Sequence, residues 1–353
     1  MTLSEPARRE LLETIEMQRL GCELAGSPLY SAVLQRVADD VRSAGPFAGL
    51  LEPLASAPFG DAAVLRLTAA LHLLVLEGVA PDLARWYPSV GGDADPDDAG
   101  LGRSLVVVAE AHRAVLEPAR CAGACRRTRS VARRRSSAEY LEVAKAGLPL
   151  RILEVGASAG LNLAFDRYRY VDVDQAFGPE GSPLVFEHPW YFGAPDLSTP
   201  LEVASRSGCD PSPLDVTTHE GRQRLRSFVW ADQLDRLARL DAALLAIADD
   251  PPRVERADGA SWLEAQLAVP APGTCTVVSH SIVLQYLSPA DRRRAMDAID
   301  AAGARATPQA PVAWLRLEPG GDQAELRLTE WPSGTTRLLA TSSYHGPPVV
   351  WRT

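Results

Sequence analysis

The stretch Ile152-Leu153-Glu154-Val155-Gly156-Ala157-Ser158-Ala159-Gly160-Leu161-Asn162 runs from apolar residues into a turn of small residues and then into a helix start. A continuous apolar run of this kind, bounded by turn residues, reads as a strand buried on both faces. Small residues in the turn let the backbone approach a ligand closely, and a following helix N-terminus offers N–H groups without intrahelical partners. The segment therefore predicts the ligand-binding edge of an α/β sheet.

The flanking sequence agrees. LRILEV (150–155), RVERAD (253–258), TCTVVSH (274–280) and PVAWLRLE (311–318) alternate with helical stretches, which predicts a parallel sheet covered on both faces. AELRLTEW (324–331), TTRLLATS (335–342) and PVVWR (348–352) lie close together, joined by WPSG and HGPP turns, and predict an antiparallel closing hairpin. Upstream of residue 147 the apolar spacing is helical, near 5–24, 28–44, 61–78, 101–118 and 136–147. The expected division is a helical cap or substrate domain over 1–147 and an α/β domain over 148–353. Val64 to Leu76 is apolar nearly all round, as in a helix at the centre of a bundle, so His72 within it reads as a satisfied core histidine. PSVGGDADPDDAGLG (88–102) reads as an exposed loop.

Composition narrows the function classes. The formal charge of −9 opposes a phosphate backbone, so nucleic acid is not an expected partner. No run approaches the roughly 20 apolar residues of a membrane span, and the N-terminus lacks a secretory pattern, so a cytoplasmic protein without membrane partners is expected. Cys22, Cys121, Cys125, Cys209 and Cys275 are odd in number and scattered, unlike a disulfide framework. Cys121 and Cys125 fall on one helix face, but no nearby Cys or His completes a zinc set, and no metal is expected. Lys145 is the chain's one lysine. The cluster Arg126, Arg127, Arg129, Arg133, Arg134 and Arg135 reads either as a solvated helix face or as a site for an anionic group.

Three segments in order carry a resemblance. EVGASAG (154–160), SGCDPSP (207–213) and RADGASWL (256–263) resemble the first three strand-end motifs of class I S-adenosylmethionine (SAM) dependent methyltransferases. The resemblance implies a Rossmann-type seven-stranded sheet. It implies that Glu154 orients the cofactor above a floor of Gly156, Ala157, Ser158 and Gly160, that Asp210 holds the ribose hydroxyls, that Asp258 meets the adenine, and that Asn162 and Gly259 belong to the same cofactor site. The spacing departs from the pattern, since Asp210 follows Gly160 by 50 residues and Asp258 follows Asp210 by 48, beyond a βαβ unit of roughly 30 residues. Insertions must fill both gaps, and Glu187 in LVFE (184–187) stays a rival for the ribose.

EVGASAGLNL (154–163), SFVWADQLDRLARL (227–240), VVSHSIVLQYL (277–287), WLRLEP (314–319) and His345-Gly346 also resemble an uncharacterised bacterial family, domain of unknown function 2332. Where that family's Thr-Asn-Glu is expected ahead of the first strand, this chain has Arg127-Thr128-Arg129-Ser130, so no role for that Asn and Glu carries over.

The implied chemistry is methyl transfer to a small-molecule acceptor through an oxygen, nitrogen or carbon nucleophile. His280, at the end of the fourth motif strand, is the candidate general base; a structural histidine beneath the site is the alternative. Trp230, Asp232 and Tyr286 are the candidate acceptor-binding residues, with ordinary packing the alternative for the two aromatics. Glu318 and His345 rank below them. Two further readings stand: a SAM-fold protein that binds without catalysing, and an α/β-hydrolase with Gly156-x-Ser158-x-Gly160 as nucleophile elbow and His345 late in the chain. Against the hydrolase, 147 helical residues precede the elbow and no His-Gly-Gly run is present.

Overall fold

The computed structural model describes residues 4–52, 63–117, 139–343 and 346–352. Cys121, Cys125, the Arg126–Arg135 cluster and His345 lie outside the described residues. The chain forms two compact units, one made of residues 1–126 with 218–238 and the other of 127–217 with 239–353.

The first unit is helical: α1 (Glu5–Leu24), α2 (Pro28–Arg42), α3 (Pro46–Leu51), α4 (Ala63–Leu76), α5 (Pro81–Ala84), α6 (Gly100–Ala111) and α7 (Arg113–Leu116), joined by the later α9 (His219–Ser227). Local chemistry sets the starts. Ser4 and Ser27 cap α1 and α2 with their hydroxyls, and a proline stands in each first turn, where its missing N–H costs nothing. Val64, Leu67, Leu71 and Leu74 of α4 are buried among Leu34, Leu50 and Leu105. His72 is fully buried, with Nδ1 at 3.3 Å from the Ser227 carbonyl and Nε2 at 2.8 Å from Ser89 Oγ. Burial pushes it down to about 4, so it is a neutral core residue at physiological pH.

The second unit contains α8 (Tyr140–Ala144), then β1 (Leu150–Val155), β2 (Arg169–Asp172), β3 (Gln175–Phe177), β4 (Val185–Glu187), β5 (Trp190–Tyr191) and β6 (Val203–Asp210). After α10 (Leu234–Ala246), which begins in the helical unit, come β7 (Val254–Arg256), α11 (Gly259–Gln266), β8 (Cys275–Ser281), α12 (Pro289–Ala304), β9 (Val312–Pro319), β10 (Ala324–Trp331), β11 (Thr335–Ser343) and β12 (Gly346–Trp351). The main sheet has nine strands in the order β5-β12-β11-β10-β9-β8-β1-β6-β7. It is mostly parallel: β7, β6, β1, β8 and β9 run together, and β5 is parallel to β12.

The expected seven strands are thus corrected to nine. The closing element is a three-stranded antiparallel meander, β10 to β12, and β5 arrives from the insertion after β1. That insertion also builds a separate sheet, β3-β2-β4, held by stacked Tyr170 and Phe186 with ring centroids 5.2 Å apart. The gap between Asp210 and Asp258 holds residues 218–238, which belong to the helical unit. On one face of the main sheet Leu153, Val155, Val278 and Trp314 pack with Trp262 of α11 and Ile299 of α12.

Candidate functional site

Along a strand, side chains alternate between faces, and neighbours in register share a face. Glu154 pairs in register with Gly208 of β6 and Ser279 of β8, while Val155 pairs with Cys209 and His280. Asp210, two residues after Gly208, returns to the face of Glu154. One face at the carboxyl end of the parallel strands therefore carries Glu154, Asp210 and Ser279. His280 is on the other.

The chain leaves β1 on one side for β6 and β7 and returns to β8 on β1's other side. A reversal of this kind is where open α/β sheets bind ligands, beyond the carboxyl ends of the strands. Glu154 is 4% exposed and its Oε1 accepts from Asn162 Nδ2 at 2.8 Å. Asp210, 1% exposed, accepts from the backbone N–H of Ser158 at 3.2 Å and of Ser212 at 2.8 Å. Its carboxylate ties the turn after β1 to the turn after β6. Ser279 Oγ accepts from the phenol of Tyr140 at 2.8 Å, and Tyr140 stacks on Phe165 with centroids 4.4 Å apart.

Gly208 and Gly259 are required by close approach. A Cβ at Gly208 would lie 2.6 Å from Ala157 Cβ, and one at Gly259 would lie 2.8 Å from Val155 Cγ1. Asp258 is exposed and caps α11 by accepting from Ser261 N at 2.9 Å, the usual part of an Asp at this position. Glu187 is exposed on β4 of the small sheet, whereas Asp210 ends the strand next to β1.

The turn differs from its expected form. The N–H groups of Gly156 and Ala157 both donate to the Cys209 carbonyl, and that of Gly160 to the Ala157 carbonyl. The segment that follows, Leu161–Arg167, is a 3-10 helix kinked at Ala164, so the expected α-helix N-terminus is not formed. Arg206 of β6 supplies the reason. It grips Asp166 through two 2.7 Å bonds and takes the Leu163 carbonyl at 2.7 Å, the acceptor an α-helix would give to the N–H four residues on.

His280 sits in a closed network. Its Nε2 accepts from the Trp314 indole N–H at 2.9 Å, which assigns the ring proton to Nδ1, 2.6 Å from Glu318 Oε1. The side chain is 2% exposed and both nitrogens are engaged, so the ring presents no lone pair to a substrate. The same Glu318 oxygen accepts from the N–H groups of Val283 and Leu284. It fixes the bend after β8, where Ile282 has φ 53°, a strained value for a β-branched residue. Tyr286 follows in a short 3-10 turn, Leu284–Tyr286.

A model of the family described as "Uncharacterized protein conserved in bacteria (DUF2332)" matches residues 13–351. The chain belongs to DUF2332. No curated protein and no solved structure matches it.

In this DUF2332 chain the candidate residues divide between the units. Glu154, Asn162, Asp210, Asp258, His280 and Tyr286 belong to the sheet unit, and Trp230 and Asp232 to the helical unit, where Trp230 stacks on Tyr30 and Asp232 accepts from Ser27 and Leu29. Ser158 has φ 56°, the strain a nucleophile elbow shows, yet among the described residues no histidine bonds to it. Among those residues no group of three acidic, Cys or His side chains could hold a metal ion, and no helix is long and apolar enough to cross a membrane. A polar groove of about 460 Å³ lies apart from the motif residues in the sheet unit. Lys145 and Arg337 line it, both bonded to the buried carboxylate of Glu142.

Tyr140, Ser279, Arg206 and Trp314 are contributors that sequence reading missed. Ser279 stood inside the quoted strand TCTVVSH, one residue before the histidine that drew attention. Only the alternation of the strand separates the two.

Proposed function

We propose that this protein binds SAM and transfers its methyl group to a small-molecule acceptor. The supporting observation is the placement of Glu154 and Asp210 on one face, at the carboxyl ends of adjacent parallel strands beside the reversal between β1 and β8. The donor set suits the ligand. A carboxylate at Glu154 matches an ammonium, one at Asp210 matches a ribose diol, and Asp258 follows β7, one strand further out. SAM would supply a methyl group on a positively charged sulfur. The chain's residues would bind and orient it, so proximity rather than a base provides most of the rate. His280 then serves as a support beneath the site. The formal charge of −9 favours a small acceptor over nucleic acid.

Calorimetry of the full chain with SAM and S-adenosylhomocysteine, with NAD as control, tests the reading. Saturable binding of the sulfur nucleotides alone is expected, weakened about tenfold or more in Glu154→Ala by loss of a charge-assisted contact. Absence of binding to both nucleotides would overturn it. The strained Ser158 favours the hydrolase as a second reading, and a fluorophosphonate probe separates the two: the methyltransferase reading expects no labelling, whereas labelling abolished by Ser158→Ala would establish the serine as nucleophile.

A further inference from the structure

The polar groove of the sheet unit is lined by fixed charges of both signs. Its volume of about 460 Å³ falls in the range of small-molecule sites, about 300–1,000 Å³. The cationic part of the lining is Lys145, just after α8, and Arg337 of β11. The Glu142 side chain, 1% exposed, holds both: Oε1 is 2.7 Å from Lys145 Nζ and Oε2 is 3.4 Å from Arg337 Nη1. Arg337 also donates to Glu330 at 3.2 Å. One carboxylate between two cations leaves N–H donors to spare, since an ammonium carries three and a guanidinium five.

The acidic part comes from the insertion after β1. Asp172 and Gln175 pair across the turn between β2 and β3, with Val173 and Asp174 at its tip. Gln175 Oε1 accepts from Leu197 N at 2.9 Å, which ties this turn to the segment carrying Asp196. Asp172 is engaged by His188 at 3.1 Å, whereas neither Asp174 nor Asp196 forms an ion pair among the described residues. Hydrogen bonds from Ser198 hold the Asp196 carboxyl below its ordinary value, with a smaller contribution from the Lys145 charge. Val173, 86% exposed, adds apolar surface to the same groove.

We propose that this groove binds a small amino acid with a second ammonium group, a ligand of one carboxylate and two positive charges. The spare donors of Lys145 and Arg337 match the carboxylate, and Asp174 and Asp196 match the two ammonium groups. Val173 covers the methylene chain between them. A simple anion would meet four carboxylates against two cations in the lining, and a plain diamine would leave the donors of Lys145 and Arg337 unanswered. Among the described residues the acids do not converge as the ligands of a metal ion do. The inference does not depend on SAM binding.

Calorimetry of the full chain with L-ornithine and L-lysine tests the site. Putrescine and cadaverine are the counterparts without the carboxylate, L-norvaline and L-norleucine those without the second ammonium. Saturable binding of at least one diamino acid is expected, with both of its truncated counterparts about tenfold or more weaker. Asp174→Asn and Arg337→Gln are each expected to raise its Kd about tenfold. Asp174 lies exposed in a turn, so its variant stays informative if Arg337→Gln unsettles Glu142. No saturable binding of either diamino acid, equal binding of a truncated counterpart, or unchanged affinity in Asp174→Asn would overturn the proposal.

Discussion

Asp210→Ala is expected to lower the free energy of unfolding by about 3–5 kcal/mol in the absence of any ligand. The carboxylate accepts from the N–H groups of Ser158 and Ser212, and hydrogen bonds to a charged acceptor contribute about 1.5–3 kcal/mol each. Alanine removes both acceptors and leaves the Ser158 N–H in a turn from which water is excluded, Ser158 being 6% exposed. Asp210→Asn keeps one oxygen and is expected to recover part of the loss. Urea denaturation of the three proteins measures it. A change below about 0.5 kcal/mol in Asp210→Ala, the usual size for an unimportant surface position, would show that the carboxylate does not hold the two turns together. A residue that builds the site as well as facing it gives misleading binding data when truncated, so Glu154→Ala is the cleaner probe of SAM.

Glu318→Ala is expected to be of similar size, about 3–5 kcal/mol, because one oxygen serves the His280 ring N–H and the backbone N–H groups of Val283 and Leu284. The loss carries a pH signature. Burial alone would raise the Glu318 carboxyl, but the bonds from His280, Val283 and Leu284 outweigh it and hold its pKa below the ordinary carboxylate value. A carboxyl depressed in the folded state stabilises above its unfolded pKa of about 4.3 and loses that contribution as pH falls through the lower folded value. The stability gap between parent and variant should therefore be widest at neutral pH and narrow in acid. A gap constant from pH 7 to pH 3 would show that the carboxylate's charge plays no part.

Strands β1, β8 and β9 were legible because a strand buried on both faces reads as a nearly unbroken apolar run; LRILEV coincides with β1 (Leu150–Val155). Strands β2 to β5 were not. They are two to four residues long, too short for alternation to stand out, and their stability comes from the rings of Tyr170, Phe177, Phe186 and Trp190. The acidic strand ends stood out through their small-residue contexts. Their partners did not, because Tyr140 meets Ser279 across 139 positions and Ser27 meets Asp232 across 205. Such pairs are set by how the chain returns on itself, and no local pattern announces them. The same limit explains His280: its place at a strand end was readable, but its enclosure by Trp314 and Glu318 depended on register with β9.

The helical unit takes one of its pieces from far along the chain. Ala231 is fully buried in its core, Ser227 meets His72, and Asp232 meets Ser27 at the start of α2. During synthesis the first 126 residues must therefore wait, with part of their apolar surface uncovered, until residues 218–238 have left the ribosome, after β1 and β6 of the other unit have already emerged. The helical unit can be completed only after part of the other unit has emerged, and cutting the gene near residue 147 would give a bundle without its last wall. The separable pieces of this protein are separable in space and not along the message.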